Sequence, residues 1–68
     1  MKIELNYSNV KNDGQSHLMW ENGNIKVFGD AGEFGNISLK VCVSGIPYLH
    51  TYSYHDVRRF IEEHFNQP

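Results

Sequence analysis

One cysteine, Cys42, means that the chain can form no internal disulfide. No run of lysine or arginine is longer than Arg58-Arg59, and no apolar stretch approaches the ~20 residues that cross a bilayer. The close ligand pairs that announce zinc, C-x2-C or H-x3-H, are missing. The N-terminal Met-Lys-Ile-Glu-Leu-Asn lacks the apolar run of a signal peptide. Together these absences point to a soluble protein in a reducing, cytoplasmic compartment, with no cofactor, no metal and no membrane contact expected. Only two prolines occur, while 40% of the residues are hydrophobic and nine are aromatic, a composition that folds rather than staying disordered. At 68 residues the chain is a single domain, 1–68, with a small core, because a domain of this size buries only roughly 60% of its unfolded surface.

Six Lys and Arg against eight Asp and Glu give a formal charge of −2. A nonspecific nucleic-acid binder must neutralise several phosphates, so this balance disfavours nucleic acid and suits a basic or neutral protein partner.

Hydrophobic periodicity orders the chain into strands and then one helix. Residues 2–7 alternate, with Ile3, Leu5 and Tyr7 on one face and Lys2, Glu4 and Asn6 on the other, the pattern of a half-buried strand. Asn9, Asn12, Asp13 and Gly14 mark residues 8–16 as a loop. Asn22-Gly23 between two apolar runs predicts a type I′ hairpin. Its register pairs Trp20 with Ile25 and Leu18 with Val27 on a core face, leaving His17, Met19, Lys26 and Phe28 on the other. Residues 29–35 form a glycine-rich connection in which G-x-x-G-x-x-G differs from the phosphate-cradling G-x-G-x-x-G. Asp30, Glu33 and Asn36 offer oxygens to calcium, but without the spacing of an EF-hand the segment reads as a plain loop. Phe34 within it is either tucked under the loop or presented to a partner.

Residues 37–43 alternate again, with Ile37, Leu39, Val41 and Val43 inward and Ser38, Lys40 and Cys42 outward. Ser44-Gly45-Ile46-Pro47 closes a further hairpin, whose turn length decides which face Tyr48, His50 and Tyr52 occupy. Ser53 stands where a helix N-cap belongs and Asp56 at the third helical position, where its charge favours the helix N-terminus. Val57, Phe60, Ile61, His64 and Phe65 then form one stripe, opposite the pairs Arg58–Glu62 and Arg59–Glu63; residues 66–68 fray. The fold expected is α+β in two layers: an antiparallel β-meander of about five strands with one C-terminal amphipathic helix packed on one face.

His17, His50, His55 and His64 are too scattered for a metal site, and each reads as a surface or partly buried histidine. Tyr54-His55-Asp56 with Arg58 and Arg59 holds the residue types of a metal-free RNase, but packing, solvation and capping account for them as well. The sheet face that the helix leaves bare is the stronger candidate. Its expected partner-binding residues are His17, Met19, Lys26, Phe28, Phe34 and Lys40, a mixture that suits a protein interface and, less well given the charge, stacked single-stranded bases. In size, acidity and plan the chain resembles the small inhibitors encoded by phages and other mobile elements, such as anti-CRISPR and anti-restriction proteins. That resemblance carries no residue assignments. It implies a non-enzymatic module occluding a protein surface; the alternatives are an RNA or single-stranded nucleic-acid binder, or less favourably a His-dependent RNase. An exposed edge strand leaves a homodimer possible.

Overall fold

A computed structural model describes residues 3–32 and 34–65, so Lys2, Glu33 and the fraying of residues 66–68 lie outside what is described. Four strands follow one another in space as in sequence: β1 (His17–Asn22), β2 (Ile25–Ala31), β3 (Ile37–Val43) and β4 (Ile46–Thr51), all antiparallel, before the helix α1 (Tyr54–Phe65). The architecture is therefore α+β, with four strands in place of five.

The missing strand is the N-terminal one. Residues 3–6 keep the inward alternation, with Ile3 buried and Leu5 half-buried. Yet they make no ladder: the Asn6 N–H donates to the Met19 carbonyl at 3.0 Å, and the chain then tightens into a short 3₁₀ helix, Tyr7–Asn9. Asn6 starts that helix, its side-chain oxygen accepting from the Ser8 N–H. Tyr7 is carried to the surface rather than to the core face.

Partners in antiparallel register share a face, so the core can be traced across the sheet. Ile25 with Val43, Val27 with Val41, and Leu39 opposite Gly29 form its floor. From α1, Val57 and Ile61 close over this floor, with Phe60 and Leu49 packed at its margin. The helical stripe is narrower than its periodicity suggests, since His64 and Phe65 remain exposed. Ile3, Leu5, Val10 and Met19 extend the same core, so a second lid made from the N-terminal segment lies beside the helix. The two lids are tied where the Tyr54 hydroxyl donates to the Ile3 carbonyl.

Both hairpins depart from simple counting, each through a bulge in an edge strand. In the first, Gly23-Asn24 makes the turn rather than Asn22-Gly23, with Asn22 opposite Ile25. Gly23 has φ +63° and Asn24 is not in the positive range, the order a type II′ turn requires. The register then slips at Met19, so that Trp20 faces Val27 but Leu18 faces Phe28. This overturns the placement of Met19 on the bare face and of Leu18 in the core. Met19 is 4% exposed and fills the space that Gly29 leaves, where an added Cβ would overlap its sulfur and lie 2.9 Å from a Val10 methyl.

In the second hairpin Ser44-Gly45 turns with both φ positive, +53° and +80°, which is the type I′ pattern. A bulge at Tyr48 then puts Leu49 opposite Val41 and His50 opposite Lys40. Leu49 and Thr51 thus join the core side, and His50 the bare side. The two turns sit together: the Ser44 N–H donates to the Asn24 carbonyl and the Asn24 amide to Ser44 Oγ, each at 2.9 Å.

Candidate functional site

With both lids on one side, the opposite face of the sheet is left open. Two cross-strand rows lie on it: Glu21, Lys26, Cys42 and Pro47, then Leu18, Phe28, Lys40 and His50. Asp30 and Ser38 follow nearer the β2–β3 loop. Lys26 and His50 are exposed, whereas Leu18, Phe28, Lys40 and Cys42 are half-buried by one another's company. Of the residues expected on this surface, Lys26, Phe28 and Lys40 are therefore on it. Met19 is not.

His17 sits at the start of β1, where its Nε2–H reaches both oxygens of Asp13 at 2.9 and 3.1 Å. The hydrogen bond from His17 holds the Asp13 carboxyl below its ordinary value, outweighing the cost of desolvation; the Gln15 N–H assists. This pair pins the residue 11–16 loop to the sheet and gives His17 a local partner.

A meander places successive connections at opposite ends, so the β2–β3 loop and the β4–α1 corner share one end of the sheet. There Asp30, Ala31, Gly32, Phe34, Asn36, Ser38 and Tyr52 line an open hollow of about 430 Å³. Phe34 is 89% exposed and Tyr52 73%, the two most exposed large apolar side chains among the described residues. The Tyr52 ring lies 6.2 Å from that of His50, which joins the hollow to the bare face. The loop is shaped by its own backbone: the Gly32 N–H donates to the Asn36 carbonyl at 2.7 Å, and the Gly35 N–H to the Gly32 carbonyl at 3.2 Å. Asp30 is oriented by Ser16, whose hydroxyl donates to Oδ2 at 3.1 Å.

A second hollow, about 280 Å³, opens at the other end between the Tyr48 bulge and the helix, lined by Val43, Tyr48, Phe60, Glu63 and His64. Tyr48 and Phe60 rings stand 6.2 Å apart. Ile46 and Tyr48 are exposed on β4, whose outer edge is interrupted by Pro47 and the bulge, two features that hinder strand addition.

The residue types of a metal-free nuclease are occupied locally. Tyr54 is bonded to Ile3, Asp56 accepts from Thr51 Oγ1 at 2.8 Å, and Arg58 Nε donates to Glu62 Oε1 at 2.8 Å. That ion pair raises the Arg58 pKa and lowers that of Glu62, chiefly through the hydrogen bond between them. His55 is exposed beside the Tyr54 ring. Among the described residues no three His, Cys, Asp or Glu side chains gather as a metal site would require, and no helix is long and apolar enough to cross a membrane.

The sequence leaves the face of Tyr52 to the turn length of the second hairpin and reads Asp30 as part of a plain loop, whereas the structure brings both to one hollow. The parity of the meander connects them: two strands, β3 and β4, separate the two loops, which puts them at the same end. Comparison with protein-family models, with curated proteins and with solved structures finds no match to this chain.

Proposed function

We propose that the protein is a small non-enzymatic binding module that occludes the surface of a protein partner. The host complex would be blocked in the manner of phage and mobile-element inhibitors, anti-CRISPR proteins among them. One observation carries this reading: Phe34 and Tyr52, the most exposed large apolar side chains among the described residues, stand at the end of the sheet face that neither lid covers. Exposed aromatics bordered by polar groups supply large contact area at little cost in side-chain entropy, the make-up of an interface centre. The chain's net charge of −2 supports a protein partner over a nucleic acid.

Capture from nuclease-treated lysate of the native host tests it. A discrete protein should be retained by the wild type, lost with Phe34→Ala and Tyr52→Ala together, and kept with Ile46→Ser at the opposite end. Oligonucleotide binding that falls steeply with salt and disappears with Lys26→Glu and Lys40→Glu would replace this reading with a nucleic-acid one. RNA cleavage lost with His55→Ala would replace both.

A further inference from the structure

We propose, building on the protein-binding reading above, that the hollow between Phe34 and Tyr52 receives an arginine side chain from a basic segment of the partner. Three features converge on a guanidinium. Two exposed aromatic side chains, Phe34 and Tyr52, are among its lining, and aromatic faces attract a delocalised, weakly hydrated cation. Among the described lining residues Asp30 supplies one carboxylate, the kind of acceptor that a guanidinium fork recognises. Among the described residues, no basic side chain lines the hollow. Lys40, two residues along β3 from Ser38, lies on the bare face beside the hollow rather than in it.

The opening suits a side chain better than a small metabolite, because an open hollow of about 430 Å³ has walls on too few sides to enclose a free ligand. An arginine anchored there by stacking and by Asp30 leaves the rest of its segment free to run across the Leu18, Phe28, Lys40 and His50 row. Arginine at the hollow would then fix the partner's register, while the row supplies contact area.

The test is an amide chemical-shift titration of the intact protein with the blocked peptide acetyl-Gly-Arg-Gly-amide and with its neutral isostere, in which citrulline replaces arginine. Saturable shifts confined to residues 30–38 and 50–53 are expected with arginine and not with citrulline. Asp30→Asn and Phe34→Ala should each weaken the binding by roughly two- to fivefold, the factor an exposed cation–π or ion-pair contact is worth. Both changes leave the core untouched, so an unaltered spectrum elsewhere verifies folding. Equal binding of the citrulline peptide, no saturable shift, or concentration-dependent shifts at Phe34 and Tyr52 without peptide would each overturn the proposal. If partner capture depends on Phe34 while the arginine peptide fails, the arginine site falls and the binding module stands. Arginine binding with no captured protein gives the reverse.

Discussion

Gly29 and Gly45 separate two reasons for a glycine. At Gly45 the backbone itself is the constraint, with φ +80° and nothing within 4 Å of an added Cβ. At Gly29 the obstacle is the Met19 side chain. Gly45→Ala should cost about 1–2 kcal/mol from backbone strain alone, and Gly29→Ala about 1–3 kcal/mol from overpacking. Urea denaturation in a double-mutant cycle with Met19→Ala distinguishes them: shortening Met19 relieves part of the Gly29→Ala loss and none of the Gly45→Ala loss. Asp13 offers a test by pH. Its carboxyl is held below the ordinary 3.8 when folded, so the stabilisation it brings is complete above about pH 4 and is lost as pH falls through the folded value. The stability gap between wild type and Asp13→Asn should therefore narrow below about pH 4 in unfolding curves measured from pH 6 down to pH 3.

Among the elements, the corner between β4 and α1 depends on one hydroxyl. Thr51 Oγ1 accepts from the Ser53 N–H at 3.1 Å and donates to Asp56 at 2.8 Å, while the Ser53 carbonyl accepts the first helical bond from the Val57 N–H. Ser53 thus occupies the expected capping position, but the side chain that joins strand to helix is the threonine two residues earlier. Thr51→Val, which keeps shape and removes both bonds, should cost about 1–3 kcal/mol, measurable as a lower urea midpoint with unchanged slope. The four strands of the sheet and the helix are legible in the sequence because their periodicities are local, although β2 runs on through Gly29, Asp30 and Ala31 into what reads as a loop. The two bulges are not. Met19 is drawn inward by the vacancy at Gly29, and Tyr48 lies against Phe60 on a helix that begins six residues later. Such complementarity between distant positions leaves no mark on period-2 counting, and a one-residue slip exchanges the faces. For the same reason period-2 counting locates the bare face as a feature of the fold but misplaces Met19 on it.

At the scale of the whole fold, every ladder among the described residues joins strands that are neighbours in sequence, and two of the three connections between those strands are two-residue turns. Core, lids and open face follow from that order, since both ends of the described chain are folded back over the same side. The bond from Tyr54 to Ile3 spans 51 residues, much farther than any other side-chain bond described. Short-range ladders can assemble quickly, whereas bringing such distant points together requires the chain to lose loop entropy first. The clasp is accordingly expected to form after the folding barrier has been crossed. Stopped-flow measurements on Tyr54→Phe should show unfolding accelerated with refolding nearly unchanged. The hydroxyl of Tyr54 would then act as a latch on the lifetime of the native state, with little part in deciding how fast that state is reached.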